Sequence, residues 1–235
     1  MHVTKNELLS LIKGEIIVSC QAVPGEPLYD PDRSLMPYMA LAAQRAGARM
    51  IRTSSVRDII GIREATGLPV IGLIKRSYEG YEGYITLTMR EVDECVQAGA
   101  DIVSIDCTDG KRGDGRTAPE FLQEVRDKYP DLVIMADCAA FEEGITAVRA
   151  GADLVGSTLS GYTRTTADRA GGGPDFELIQ RWVKELPCPV IAEGRVHTPE
   201  QARQMLDLGA WAVVVGGAIT RPLEIAERFF QAIRG

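Results

Sequence analysis

Five ionisable side chains occupy the same kind of position in this chain. Each closes a short run in which every second residue is small or apolar. Met50 leads to Arg52, Ile71 and Leu73 to Lys75, Ile102 and Ser104 to Asp106, Val133 and Met135 to Asp137, and Ile191 to Glu193. Side chains alternate along a strand, so the members of each series share one side. If that side faces inward, an apolar stack is topped by two cations and three carboxylates; alternation alone does not say which side is inner. Acids and bases gathered with little water around them are costly to maintain and shift one another's pKa values, which is how proton-transfer sites are built. For any single residue the competing reading is an inert ring of salt bridges around a rim. For the set, chemistry is favoured.

A second group of residues has the composition of an anion site. Glu193-Gly194-Arg195 ends the seventh apolar run, and Gly216-Gly217-Ala218-Ile219-Thr220-Arg221-Pro222 ends the eighth. Glycines let an anion approach backbone N–H groups, and a helix start adds a favourable dipole. Arg195 or Arg221 offers a charged fork. The competing reading is a tight turn at Gly216-Gly217 with a solvated arginine. Other candidates carry less. Cys20, Cys107 and Cys138 lie at strand ends, but no histidine is placed to activate a thiol, and buried cysteine commonly behaves as a small hydrophobe. His197 falls in the turn before a helix capped by Thr198. Tyr78, Tyr81 and Tyr84 form either a loop face near a pocket or exposed packing.

The elements that must position these groups are eight apolar runs, each followed by a helix-like stretch. As strands they are Glu15–Cys20, Ala48–Arg52, Pro69–Lys75, Asp101–Asp106, Leu132–Asp137, Asp153–Thr158, Pro189–Glu193 and Trp211–Gly216. The second, fourth, sixth and eighth follow a Gly-Ala step (Gly47, Gly99, Gly151 and Gly209), the third, fifth and seventh a proline (Pro69, Pro130 and Pro189). Glycine releases a helix through a left-handed turn, and proline stops one by fixing φ and lacking an N–H. Ser55/Asp58, Thr88/Glu91, Thr117/Glu120 and Thr198/Gln201 have capping spacing at helix starts. Strict alternation of strand and helix implies a parallel sheet, and eight such units in 235 residues predict one α/β domain over residues 1–235, a (β/α)8 barrel. Barrel sites lie at the C-terminal strand ends, and phosphate often binds after strands 7 and 8. Two long connections, Gln21–Arg33 and Leu159–Pro174, fall on that face, and the second reads as an active-site loop.

Composition narrows the function classes. A net charge of −7 argues against a nucleic-acid partner but not against a small anion held in a local positive pocket. No run approaches the length of a membrane-spanning helix, and Met1–Lys13 lacks the features of a leader. Five cysteines, odd in number and without C-x-x-C spacing, favour reduced thiols in a cytoplasmic enzyme. With only His2 and His197 and no histidine–cysteine cluster, no metal site is expected. No glycine-rich nucleotide motif opens a helix, so no nucleotide cofactor is expected either.

Taken together, six segments give the chain a resemblance to the N-acetylmannosamine-6-phosphate 2-epimerase family. They are Val18–Leu28, Ile71–Arg76, Met135–Asp137, Val155–Thr163, Val190–Arg195 and Val214–Pro222, in order along the chain. The resemblance implies a (β/α)8 barrel interconverting N-acetylmannosamine 6-phosphate and N-acetylglucosamine 6-phosphate without a redox cofactor. It implies Lys75 and Glu193 as the catalytic pair, and Gln21, Arg52 and Asp137 around the sugar. It places Arg221 and the glycine-rich end of strand 8 around the phosphate. The partner is then a phosphorylated amino sugar; a homodimer is one possible assembly. Ile85–Thr88, Asp106–Arg116 and Cys138–Ala140 depart from the family pattern.

The implied reaction suits these residues. In the open-chain sugar the hydrogen on C2 lies beside the C1 aldehyde, and its removal gives an enolate-like intermediate. A lysine serves as the base only if its pKa falls from about 10.4 toward neutrality, through burial or through the nearby Arg52 and Arg76. Glu193 is left three roles: ring opening, orienting the sugar, or second proton transfer. Two other functions remain open. One is a Schiff-base aldolase or lyase using Lys75; the other is a sugar-phosphate-binding protein without turnover.

Overall fold

The computed structural model describes Thr4–Arg234; His2 lies outside the described residues. Eight parallel strands close into a barrel in chain order: β1 (Ile16–Ser19), β2 (Ile51–Ser54), β3 (Val70–Leu73), β4 (Ile102–Asp106), β5 (Val133–Asp137), β6 (Leu154–Gly156), β7 (Val190–Ala192) and β8 (Ala212–Val215). The ring is sealed by β1 against β8, with Ile16 opposite Val213. Between the strands run α2 (Met36–Ala46), α3 (Val56–Thr66), α4 (Met89–Gln97), α5 (Ala118–Lys128), α6 (Phe141–Arg149), α7 (Phe176–Glu185) and α8 (Pro199–Asp207). Before β1 lies α1 (Lys5–Ile12); after β8 come the single turn α9 (Gly217–Thr220) and α10 (Pro222–Arg234).

The helix exits repeat one device. Gly47, Gly99, Gly151 and Gly209 have φ of 115°, 87°, 100° and 98°. In each case the next alanine sends its N–H back to the helix: Ala48 to Ala43, Ala100 to Cys95, Ala152 to Ala147 and Ala210 to Met205, at 3.0–3.1 Å. This is the Schellman arrangement, in which the left-handed residue satisfies the last carbonyls and turns the chain into the next strand. The proline-led entries work differently. Pro69 and Pro189 begin their strands by accepting N–H groups from Ile51 and Val155. At the helix starts Thr88, Thr117 and Thr198 form capping boxes, and the Ser55 hydroxyl accepts from Asp58 N.

The alternating series do face inward. Ile71, Ile102, Val133, Met135 and Ile191 form one buried cluster with Ile17, Met50, Leu154, Ala212 and Val214. Beneath it, Leu8, Leu9 and Ile12 of α1 plug the N-terminal end, and the Trp211 indole donates to the Leu9 carbonyl at 2.8 Å. Sequence reading left this segment without a role. The opposite strand faces pack against the helices in a second layer holding Cys20, Cys95, Cys107 and Cys138. Burial pushes these thiols up, Cys20 to about 12, so they are inert packing.

The observed strands are trimmed at their ends relative to the expected runs, as Val70–Leu73 within Pro69–Lys75 and Leu154–Gly156 within Asp153–Thr158, and one is displaced. The second was expected over Ala48–Arg52 but runs over Ile51–Ser54. Ala48 is consumed by the helix exit, and pairing begins only where Ile51 meets the Pro69 carbonyl. Arg52 is therefore the second residue of its strand, level with Ser19 and Ile71, and not its end. No residue of α10 is buried, and Phe229, Phe230 and Ile233 are 70%, 55% and 83% exposed.

Candidate active site

At the C-terminal mouth of the barrel, Arg52 reaches upward from within β2 and organises three strands. Its Nη2 donates to Asp137 Oδ2 at 2.6 Å, its Nη1 to Ser104 Oγ at 2.7 Å, and its Nε lies 3.2 Å from Glu193 Oε1. Ser104 Oγ in turn donates to Asp137 Oδ2 at 2.7 Å. Two residues past β6, the Thr158 hydroxyl touches Asp137 Oδ1 at 2.6 Å and Glu193 Oε2 at 3.1 Å. Arg52 and Asp137 are fully enclosed, so their charges are tolerable only because each neutralises the other and the remaining polar atoms are bonded. The Arg52 Nε is the exception, with no aligned hydrogen-bond acceptor.

Beside this cluster lies a cavity of about 220 Å³, lined by Lys75 and Glu193 together with Ser19, Gln21, Tyr84 and Arg221 among others. Lys75 stands two residues past β3, where it bridges Ile85 of the returning loop. Burial, then the Arg221 and Arg52 cations, lower its ammonium to about 8. Arg76, expected to help, instead binds Glu91, Glu94 and Tyr78 away from the cavity. Glu193 follows β7 directly, held by reciprocal backbone bonds with the Ser157 hydroxyl. Burial raises its carboxyl to about 7, against the pull of Arg52 and with the help of Asp137. A base brought down and an acid brought up thus face one cavity near neutral pH. Gln21 donates to Ser19 Oγ at 2.9 Å and leaves its buried Oε1 without a partner, free to accept from a hydroxyl or amide N–H.

The cationic corner forms where β8 turns into α9. Thr220 pins this turn by donating to the Ser19 carbonyl at 2.7 Å. A Cβ on Gly217 would fall 1.8 Å from Glu224 Oε2, so a larger residue there would displace the Glu224 side chain from its pairing with Arg221. Gly194 and Gly216 line the same cavity. Arg221 forks between Glu224 at 2.8 Å and Glu26 at 3.1 Å. Arg195 behaves otherwise. It lines the cavity, but its guanidinium is tied to the carbonyls of Gly173 and Ser160 and so anchors the β6–α7 loop.

Comparison with known proteins completes the picture. The family model described as "Putative N-acetylmannosamine-6-phosphate epimerase" matches residues 36–235. The chain belongs to this epimerase family. A curated relative from Caldanaerobacter subterraneus subsp. tengcongensis, named "Putative N-acetylmannosamine-6-phosphate 2-epimerase", is 49% identical over 97% of this chain and 94% of its own length. One of the same name from Enterobacter sp. (strain 638) is 46% identical over 96% and 95%. A solved structure of the N-acetylmannosamine-6-phosphate 2-epimerase from Clostridium perfringens superposes with a TM-score of 0.91, at 43% identity and 99% of both chains. A thiamine phosphate pyrophosphorylase from Pyrococcus furiosus, 17% identical with a TM-score of 0.59 over 97% of this chain and 100% of its own, shares the fold alone.

Within this epimerase-family barrel, sequence reading brought Gln21, Arg52, Lys75, Asp137, Glu193 and Arg221 to one mouth. It missed Ser104 and Thr158, whose hydroxyls tie the charges together. Ser104 carried a signal, as the one polar residue inside an inward series. Asp106 is buried at the end of β4 but bonds Thr108 and the Tyr84 N–H, and opens onto a neighbouring pocket of about 290 Å³. Among the described residues no group of His, Cys, Asp and Glu is placed to hold a metal ion, and no helix is long and apolar enough to cross a membrane.

Proposed function

We propose that this protein interconverts N-acetylmannosamine 6-phosphate and N-acetylglucosamine 6-phosphate, and that it does so in amino-sugar catabolism. The observation that carries the reading is the cavity itself: Lys75, Glu193, Arg221 and the Gly216-Gly217 turn all line one space. Family membership supplies the substrate class.

In the proposed mechanism the 6-phosphate is held by Arg221 and the glycine turn, displacing part of that arginine's pairing with Glu26 and Glu224. Gln21 Oε1 accepts from the sugar. The open-chain form then presents C2 between Lys75 and Glu193. The neutral Lys75 amine takes the C2 proton, electrons move to the C1 oxygen, and protonated Glu193 returns a proton to C2 on the other face. The reverse reaction starts from ammonium and carboxylate. These two forms differ only in which group holds one proton, and pKa values near 8 and 7 keep both within reach. Arg52 and Asp137 hold Glu193 in place. Gly194 and Arg195 shape the wall.

The five free cysteines fit a cytoplasmic setting. The uncovered aromatic face of α10 fits burial in a homodimer, which sedimentation would test: a monomer at micromolar concentration contradicts it. The activity is tested by incubating purified protein with N-acetylmannosamine 6-phosphate and following the sugar signals by NMR. Appearance of the glucosamine epimer at a catalytic rate supports the proposal; binding without conversion would leave a sugar-phosphate-binding protein instead.

A further inference from the structure

The Thr158 hydroxyl stands between two carboxyl groups but has one proton to give. Asp137 settles where that proton goes. Its Oδ2 already accepts from Arg52 Nη2 and from Ser104 Oγ. Ser104 is itself fixed as the donor, because its oxygen accepts from Arg52 Nη1. Surrounded by a guanidinium and a donating hydroxyl, Asp137 is ionised and acceptor-only. The Thr158 contact to Asp137 Oδ1, at 2.6 Å, is therefore a donation to a carboxylate, with the short length of a charge-assisted bond. The hydroxyl then has only lone pairs left for Glu193 Oε2 at 3.1 Å.

Two oxygens facing each other without a proton repel, whereas a protonated Glu193 would donate across that gap. We infer that Thr158 is a positioning residue for Glu193: by spending its proton on Asp137 it holds Glu193 in the protonated form and aims the carboxylic acid. The inference rests on the proposed role of Glu193 as a proton donor and adds the group that sets its protonation. Other groups around Glu193 act by charge. Arg52 from β2 and Lys75 beyond β3 favour the carboxylate, and Asp137 from β5 opposes it; a Thr158 hydroxyl donating to Glu193 would also favour the carboxylate, and the donation to Asp137 is what removes that contribution. From the cavity rim come Tyr84 on the β3–α4 loop, Tyr162 on the β6–α7 loop, and Arg221 and Glu224 beyond β8, with His197 on the loop of Glu193 itself. None of these substitutes for an acceptor within bonding distance.

The test compares Thr158→Val, which removes the hydroxyl at nearly constant shape, with Thr158→Ser, which keeps it. Protein labelled with ¹³C at the glutamate side-chain carboxyl is titrated by NMR, and Glu193 is identified as the signal absent from Glu193→Gln. Wild type and Thr158→Ser should titrate near 7. Thr158→Val should titrate about one pH unit lower, having lost the acceptor for the acid form. Its kcat should fall about tenfold with KM little changed, since only the reacting group's proton is affected. A Thr158→Val midpoint that is unchanged or higher would overturn the inference, because the hydroxyl would then be a bystander or a donor to Glu193. So would a serine variant that behaves like valine. If the valine variant does not fold, Thr158→Ala is titrated in its place, with the same drop expected and an unchanged or higher midpoint again overturning the inference. The titration needs no substrate, so expected midpoints in a protein that turns nothing over would refute the epimerase reading and leave this one standing.

Discussion

Arg52 and Asp137 meet at 2.6 Å across the top of the barrel, from strands that are not neighbours, with 1% and 0% of their side chains exposed. The pair spans the barrel interior, so the cost of enclosing two charges is met where three strands converge on the cavity floor. Removing one partner leaves the other charged and dry. Asp137→Ala should destabilise the protein by about 3 kcal/mol, read from urea unfolding. The double variant Arg52→Met/Asp137→Leu should lose less than the two single changes added together, as expected for residues in contact. Additive losses would show that the pair is not a coupled unit.

In the proposed mechanism Lys75 is the base. Lys75→Met should leave the fold intact, because the side chain lies beyond its strand and outside the apolar stack. Epimerisation should fall by about 10²–10⁴-fold. Wild-type protein treated with borohydride and substrate should gain no covalent adduct, since the lysine moves a proton and does not bond to carbon. A mass increase equal to reduced substrate on Lys75 would favour the aldolase or lyase reading.

The pH dependence has a definite sign. Turnover requires Lys75 and Glu193 to share one proton between them. Losing that proton at high pH or gaining a second at low pH stops the reaction, so the rate should peak between pH 7 and 8 and fall on both sides. Glu193→Gln should abolish inversion but still let Lys75 exchange the C2 hydrogen of one epimer with solvent. That exchange should rise as Lys75 deprotonates, at a pH below the wild-type value of about 8 because the Glu193 charge that raises it is gone, and then level without the alkaline decline. A Glu193→Gln enzyme that still inverts C2 would remove the second proton-transfer group from the account.

Much of this was legible in the chain because the barrel repeats its instructions. The Gly-Ala exits at residues 47, 99, 151 and 209 are four copies of one hydrogen-bond pattern, and a pattern repeated in phase is stronger than any single turn signal. Alternation left the inward side open, and the buried cluster holding Ile71, Ile102 and Met135 settles it. What sequence did not reveal depended on distance through space. Arg52 looked like a strand end, yet it sits one layer lower and reaches the mouth by its length alone. Arg195 had the right type and place for an anion site, but two loop carbonyls claimed it. Thr158 passed as an ordinary strand-end residue, because a hydroxyl gains meaning only from the two carboxyls around it.

At the cationic corner, Arg221→Ala should raise KM for N-acetylmannosamine 6-phosphate well beyond any loss in kcat. Phosphate contacts are equally strong in ground and transition states. The unphosphorylated sugar should be a very poor substrate for wild type, and the difference between the two sugars should shrink in the variant. Equal kcat/KM for both sugars in wild type would contradict the assigned corner.

The central claim is that a proton leaves C2 on one face and a solvent-derived proton arrives on the other. The direct measurement is the reaction in deuterated water, after exhaustive chelation and without nucleotide, with C2 followed by NMR from the first turnovers. Glu193 exchanges with solvent between cycles, so product should carry deuterium at C2 from the start while unreacted substrate still carries hydrogen. Product that retains hydrogen at C2 all the way to equilibrium, or strict dependence on NAD or a divalent metal, would contradict the mechanism.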